Sequence, residues 1–401
     1  MASARLARIL FGQAGTSAGR SVATSFTGPL MERLLAAPPS VIGLTLAIAG
    51  LAGVIVPPLV GAWSDASRSR WGRRTPFIVA FSLVAAVGLA LTGLAASLPV
   101  IVLAVALTFV GIVGSQTPYQ VLVPDLLPKH RLERGYAVSS LVAAVGGGMG
   151  FALGGLLFES APAAPFLACA ALIAVTLAWS LWGFREAVLP RTPRDASELE
   201  GAPRHALRWL TGNRAFLAFL LAQVVWWVGL GAFPPFAILY VENVLRLGPP
   251  AGTVILLGVG LVALALAVQI GRLSLDNQRR RRALVLGLLV MVAGLAIAYL
   301  AGSERVPAIL GLAVFALGSS VFQVVPYAVA VALAPPNRIG AFSGISTMSK
   351  AVGIALAPLV AGAAIELAGR DYRAVLLVMA AASLASLLPL SLVGRLMPRG
   401  T

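Results

Sequence analysis

The chain has 401 residues, of which 59% are hydrophobic and only 11% are charged, with a formal net charge of +16. A protein dissolved in water cannot bury so much apolar surface, which excludes a soluble globular domain and indicates lipid as the main solvent. Such a basic excess would suggest nucleic-acid binding in a soluble protein. Here the arginines lie in short turns between apolar segments, so we expect no nucleic-acid partner.

Twelve apolar segments are long enough to cross a bilayer, which predicts an all-α integral membrane protein. The predicted spans are 6–31, 40–63, 76–97, 99–127, 136–158, 164–184, 213–241, 249–271, 283–301, 306–333, 342–366 and 372–393. With both termini in the cytoplasm, 23 of the 30 Lys and Arg residues lie on the cytoplasmic side and 5 outside. This asymmetry predicts a multi-pass protein of the plasma membrane, in a bacterium the inner membrane, in contact with the lipid bilayer.

The first span carries a polar stripe along one helical face. Its members are spaced by four and three residues: Gln13, Ser17, Arg20, Thr24 and Thr27. The opposite face is apolar, with Ala14, Ala18, Val22 and Phe26. Because lipid cannot pair polar groups, the stripe is expected to face a water-filled cavity. The alternative is a helix that lies flat on the membrane surface.

A charged turn, residues 61–78, separates the second span from the third. Asp65 lies at the cytoplasmic end of span two and is predicted to pair with Arg70 or Arg74, and Asp125 ends span four. Ion pairs at helix ends can hold the cytoplasmic mouth closed and must break when it opens. The predicted gating residues are Asp65, Arg70, Arg73, Arg74 and Asp125. The alternative is that these charges only set the orientation of the chain.

The two halves of the chain repeat each other around a polar segment. Residues 1–184 and 213–401 are predicted to form two pseudo-symmetric six-helix bundles, joined by a cytoplasmic linker at 185–212. Pro118-Tyr119 recurs as Pro326-Tyr327. The small residues Gly146, Gly150 and Gly154 of span five correspond to Gly353, Ala357 and Ala361 of span eleven. Such rows let membrane helices approach closely, and duplicated halves are typical of secondary transporters.

The turn at 61–78 resembles the signature loop of the major facilitator superfamily, with Gly61, Asp65, Arg70, Gly72, Arg73 and Arg74 in the matching places. Its longer spacing, together with the stretch 118–135, is most similar to sucrose/proton symporters and glycoside–cation symporters. The resemblance implies the major facilitator fold, alternating access, and proton-coupled movement of a sugar. It also implies that spans one, four, seven and ten line the cavity. The chain departs from that pattern because its carboxylates lie toward span ends.

Polar and aromatic residues inside the spans are the candidates for contact with a solute. Arg20 and Lys350 are cations within spans, which is costly and suggests a site for negative charge or for sugar hydroxyls. Gln and Tyr can pair hydroxyls and Trp can stack on a sugar face, while packing and interfacial anchoring are the alternatives. The predicted substrate-binding residues are Gln13, Ser17, Arg20, Thr24, Gln116, Tyr119, Gln120, Gln223, Trp226, Trp227, Gln323, Tyr327 and Lys350.

The sequence contains no motif for catalysis, nucleotides or metals. It has no Gly-rich phosphate loop, and His130 and His205 lie in predicted loops without metal-ligand spacing. We therefore expect no enzyme, no cofactor and no metal, but a monomeric secondary transporter of a small polar solute. A sugar or glycoside is the leading solute, with proton coupling left open. The alternatives are an organic-anion uniporter or exchanger, and a non-transporting receptor or assembly factor with the same fold.

Overall fold

The computed structural model describes residues 8–67, 69, 71–127, 132–182, 213–273, 276–334 and 339–396, without the side chains of 124–126, 133–134, 277, 339–341, 343 and 394–396. Twelve long helices follow one another in this part of the chain. They are α1 Gly12–Leu35, α2 Pro39–Ala66, α3 Thr75–Leu94, α4 Leu98–Leu126, α5 Leu132–Leu157, α6 Ala164–Leu181, α7 Arg214–Asn243, α8 Pro249–Gly271, α9 Asn277–Leu300, α10 Arg305–Leu333, α11 Ile339–Leu367 and α12 Ala374–Leu396. The predicted all-helical membrane fold is confirmed.

Eleven of the helices in the described ranges are long and apolar enough to cross a membrane. The remaining helix is α1, whose polar stripe lowers its hydropathy although its 24 residues exceed the length that a bilayer requires. Length and composition thus agree with the sequence prediction for eleven spans. For α1 to be the twelfth span, its polar face has to be shielded from lipid.

Two helices are interrupted. α2 consists of Pro39–Gly50 and Ala52–Ala66, joined at Leu51. α10 runs to Ser320, passes through a 3-10 turn at Val321–Gln323, and resumes with Val325–Leu333. Pro326 stands in the first turn of this last segment, where a proline is tolerated but prevents the preceding helix from continuing. Broken helices of this kind are found near transport sites because their freed backbone groups can line a cavity.

The described helices form two compact units. The first contains α1–α6 together with Pro234–Leu257 and Ile365–Tyr372. Within it α3 packs along α4, and α1 packs against α5 and α6. Buried apolar side chains of α1, α3, α4 and α6 form its core, including Val22, Phe26, Leu89, Ile112 and Ile173.

Glycines of α5 bring this helix into direct contact with the backbone of α1. A Cβ on Gly146 would overlap the backbone of Ala14, and one on Gly150 would overlap that of Ala18. One turn further, a Cβ on Gly154 would overlap the ring of Phe26. The row of small residues in the sequence therefore does predict a close helix contact. It lies on the apolar face of α1, as the stripe pattern requires.

Substitution of Gly150 by valine should destabilise the first unit, because the added side chain has no space beside Ala18. Overpacking of this kind costs about 1–3 kcal/mol, so the melting temperature in detergent should fall by several degrees. Gly148 is the matched control, since a Cβ there meets no atom within 4 Å. Equal melting of Gly150→Val and Gly148→Val would contradict the contact.

The second unit contains the first part of α7, Gly258–Ala364 and the chain from Arg373 onward. In this unit α9 packs against α10 and α12. Its core is aromatic: the Trp226 ring lies 5.8 Å from Phe219 and 5.2 Å from Phe322, measured between ring centroids. The predicted linker at 185–212 lies outside the described residues, so the two six-helix bundles and their boundaries stay a prediction.

Candidate functional site

Arg20 lies on the polar face of α1 and reaches α4. Its Nη2 atom donates to Oε1 of Gln116 at 2.5 Å. The Nε atom of the same guanidinium is buried and has no hydrogen-bond partner in the described part of the protein. Arg20 also makes no ion pair with a described carboxylate. A partly buried cation thus keeps one donor available for a solute or for water.

Two further members of the polar stripe of α1 are buried. Gln13 is 6% exposed, and its Oε1 accepts a hydrogen bond from the hydroxyl of Ser139 on α5 at 2.8 Å. Thr27 is fully buried and its hydroxyl has no partner in the described ranges. Ser17 is also buried, whereas Thr24 is only half-buried. The stripe is therefore used partly for helix packing and partly for contact with Gln116.

The second unit repeats the Gln–Ser contact. Oε1 of Gln223 on α7 accepts from the hydroxyls of Ser346 at 2.9 Å and Ser349 at 3.1 Å, both on α11. Gln223 follows Gln13 by 210 residues, and Ser346 follows Ser139 by 207. The neighbouring glycine is repeated as well, because a Cβ on Gly353 would press against the backbone of Val224. This is a structural repeat of the α1–α5 pair in α7 and α11.

The cations of the two units differ. Lys350 on α11 places its Nζ 4.0 Å from the ring centroid of Trp227 on α7. A cation–π contact of this kind is worth about 0.5–2 kcal/mol, the larger value applying where water is excluded. Trp227 is 8% exposed, and its indole N–H has no partner among the described groups. Gln223, Trp227 and Lys350 therefore form one polar and aromatic cluster, which the sequence predicted only as separate candidates.

The other predicted substrate-binding residues lie in different surroundings. Tyr119 is 1% exposed, whereas its repeat Tyr327 is 64% exposed. Gln120 and Gln323 are exposed, the latter within the 3-10 turn of α10. Trp226 is fully buried in the aromatic core of the second unit. Of this group, only Gln323 and Tyr327 lie at a helix break.

The charged turn between α2 and α3 is organised around Asp65. Its Oδ1 accepts from Arg73 and from Arg74, each at 2.7 Å. Arg74 also donates to the hydroxyl of Ser64 at 2.5 Å, and it is 2% exposed. Arg74, one of the two partners predicted for Asp65, makes an ion pair with it. Arg73, which was not predicted as a partner, makes a second ion pair with the same carboxylate. Arg70 and the side chain of Asp125 lie outside the described residues.

A second charged cluster lies where α1 ends, and no local sequence pattern indicates it. We call Glu32, Arg33, Glu242 and Tyr372 the α1 end cluster. Arg33 donates to Glu242 of α7 at 2.5 Å and lies 4.6 Å from the ring centroid of Phe158. Among the described residues, no group of three or more acidic, His or Cys side chains is arranged to hold a metal ion.

The hydroxyl of Tyr372 donates to Oε1 of Glu32 at 2.9 Å. Burial raises the pKa of Tyr372, and the negative charge of Glu32 raises it further. Tyr372 therefore remains protonated at physiological pH and keeps its role as a donor. Near this cluster in the sequence, the backbone N–H of Ser40 donates to Oε2 of Glu366 at 3.1 Å. This hydrogen bond joins the start of α2 to the end of α11.

Replacement of Glu242 by glutamine should loosen the end of α1. The Arg33–Glu242 pair is only partly exposed, so its loss should cost about 1 kcal/mol and speed backbone hydrogen exchange at residues 32–38 roughly fivefold. Glu304 is a suitable control because its side chain is exposed and makes no cap contact. Unchanged exchange in Glu242→Gln, or equal acceleration in Glu304→Gln, would contradict this role.

The Major Facilitator Superfamily model matches residues 9–348 and 275–400. Among curated proteins, the human "Proton-associated sugar transporter A" is 29% identical over 151 residues, covering 34% of this chain and 20% of that protein. The human "Solute carrier family 45 member 4" is 26% identical over 215 residues, covering 46% and 28%. The chain thus spans less than a third of the length of these relatives.

Among solved structures, a mutant of the nucleoside transporter NupG matches with a TM-score of 0.82 at 15% identity, covering 98% of this chain and 100% of that one. The D-xylose-proton symporter matches with a TM-score of 0.70 at 16% identity, covering 96% and 95%. At these identities the likeness establishes the fold. With the family model covering nearly the whole sequence, the chain belongs to the Major Facilitator Superfamily of membrane transporters.

Proposed function

We propose that this chain is a carrier that moves a small polar solute across the bacterial inner membrane by alternating access, and that the solute is a sugar or a glycoside. The observation that carries the proposal is Arg20, a cation in a predicted span that is held by Gln116 and whose buried Nε donor has no partner among the described residues. A charge at this depth is costly, and such residues are retained mainly where they bind or conduct a solute.

The chemistry of the second unit supports a hydroxyl-rich solute. The Trp227 ring carries the ammonium of Lys350, and the Gln223 amide lies next to two serine hydroxyls. Sugars present apolar C–H faces and many hydroxyls, so they match this combination of one aromatic ring with several donors and acceptors. The names of a sugar-transporting relative and of the D-xylose-proton symporter point in the same direction.

An organic anion is the second candidate. Arg20 makes no ion pair with a described carboxylate, and Lys350 is held against an aromatic ring. Each of these cations would by itself attract a carboxylate or a phosphate ester more strongly than a neutral sugar. With an organic anion as the solute, the proposed carrier mechanism stays the same.

The charged turn is proposed to act as the cytoplasmic gate. Asp65 neutralises the buried Arg74 at the junction of α2 and α3, and this pair has to rearrange if the two helices move apart. The α1 end cluster is the proposed counterpart at the outer side, which is the side predicted for it by the distribution of arginines. Ion pairs worth about 1–3 kcal/mol bias a two-state equilibrium by a factor of about 5 to 150.

A ligand screen followed by uptake tests the solute. Purified protein should melt at a higher temperature with sucrose, D-xylose or an aryl glycoside than with equal concentrations of dicarboxylates. Proteoliposomes should then take up the best ligand saturably, and empty vesicles should not. An inward proton gradient accelerates uptake if protons are coupled. If only dicarboxylates stabilise the protein and are taken up, the solute is an organic anion and not a sugar. The absence of any uptake would favour a receptor.

A further inference from the structure

An open cavity lies along the first turns of α9, the end that the arginine distribution predicts to be cytoplasmic, and the proposed carrier function does not use it. Its volume is about 560 Å³. Six of the lining residues lie on one face of the helix, at spacings of three and one: Gln278, Arg281, Arg282, Val285, Leu286 and Leu289. Three of them are polar and stand in the first two turns, and the three apolar ones follow in the next two.

This face is amphiphilic along the helix axis. Leu286 is 63% exposed and Leu289 is 48% exposed, so both leave apolar surface uncovered within the predicted span. At 1.5 Å per residue, Leu289 lies roughly 10 Å from Arg282, deeper along the same wall. The cavity therefore offers positive charge at the interface and a continuous apolar surface beneath it. That order matches a phospholipid, which has its phosphate at the surface and its chains below.

The guanidiniums of Arg281 and Arg282 supply the positive charge of the cavity. The structure gives neither Arg281 nor Arg282 an ion pair with any described carboxylate. The nearby Asp276 is occupied elsewhere, because its Oδ1 accepts from the backbone N–H of Arg279 at 2.7 Å and its Oδ2 lies 3.6 Å from Arg279 Nε. The positive end of the helix dipole adds to the attraction for an anion at this position.

We propose that this cavity binds an anionic phospholipid, with the phosphate on Arg281 and Arg282 and an acyl chain over Leu286 and Leu289. Guanidinium groups bind phosphate oxygens in a bidentate manner, and basic pockets beside membrane helices attract the anionic lipids of the cytoplasmic leaflet. An inorganic anion would engage only the arginines and leave the apolar wall without a role. A lipid uses both parts of the cavity.

Titration of the detergent-solubilised protein with long-chain phosphatidylglycerol tests the proposal, with thermal stabilisation and native mass spectrometry as readouts. The double variant Arg281→Gln/Arg282→Gln should bind roughly 30-fold more weakly, since each basic residue near the surface contributes a factor of about five. Arg279→Gln removes one charge from the same turn and pairs with Asp276 in the native protein, so it is the control and should stay within about twofold.

Three results would overturn the proposal. Undiminished lipid binding by the double variant would show that Arg281 and Arg282 do not bind the phosphate. An equal loss in Arg279→Gln would show diffuse attraction to a basic turn. Equal stabilisation by inorganic phosphate or by dihexanoyl phosphatidylglycerol would show that the apolar wall binds no chain. Phosphatidylcholine should bind weakly in every variant. These readouts need no transport, so they remain valid even if the proposed solute is wrong.

Discussion

Substitution of Arg20 by alanine is expected to weaken solute binding at least tenfold, whether the solute is a sugar or an organic anion. The guanidinium of Arg20 is fixed by Gln116 and presents a second donor from its buried Nε. A hydrogen bond from a charged group contributes about 1.5–3 kcal/mol, which corresponds to a loss of roughly 10- to 100-fold. The dissociation constant of purified protein, measured by calorimetry with the best ligand of the screen, gives the answer directly.

Two variants separate binding from folding in this experiment. Arg20→Lys keeps the charge and loses the planar set of donors, so its affinity should lie between those of wild type and Arg20→Ala. Thr92→Val removes a hydroxyl that donates to the backbone of its own helix, α3, without changing charge, and it should bind nearly as wild type does. If Arg20→Ala and Lys350→Ala both bind and transport with unchanged affinity, neither cation contacts the solute.

Substitution of Arg74 by alanine should have the largest effect among the residues of the charged turn. Arg74 is 2% exposed and joins Ser64 to Asp65. Removing one partner of a buried pair costs about 3–5 kcal/mol, although the exposure of Asp65 reduces this to the lower part of that range or less. The transport rate should fall at least tenfold, and the melting temperature should drop with it.

Arg73 provides the matched control, because it binds the same carboxylate oxygen at the same distance of 2.7 Å. Its side chain is 39% exposed, and an exposed ion pair contributes only about 0–1 kcal/mol. Arg73→Ala should therefore change the rate less than about fivefold. If both variants lose transport equally, burial is not what makes the turn important. If neither does, the turn only orients the chain.

Helical periodicity was sufficient to predict which face of α1 packs against another helix. Steps of three and four residues separated Ala14 and Ala18 from the polar stripe, and the structure packs both alanines against glycines of α5. The repeat between the halves was also visible as matched prolines and glycines. Its clearest structural form, the pair Gln13–Ser139 with its copy Gln223–Ser346, depends on contacts across 123–126 residues. The sequence supplied the candidates, but it could not assign their partners.

The α1 end cluster could not be predicted in this way. Arg33 and Glu242 are 209 residues apart, and Glu32 and Tyr372 are 340 apart, with no local motif around any of them. Residue type was also insufficient for the tryptophans. Trp226 and Trp227 are adjacent and of the same type, yet one lies in an aromatic core and the other under Lys350. Successive helical residues point about 100° apart, and only tertiary packing decides which of them meets a charge.

Counterflow in proteoliposomes tests the central claim, that this member of the superfamily is a carrier with a single solute site exposed alternately to each side. Vesicles loaded with a high concentration of the unlabelled ligand are diluted into a trace of the labelled one. A carrier predicts transient accumulation of label above its external concentration, abolished in Arg20→Ala. Simple equilibration without an overshoot, or no movement of label from a ligand that demonstrably binds, would contradict the account.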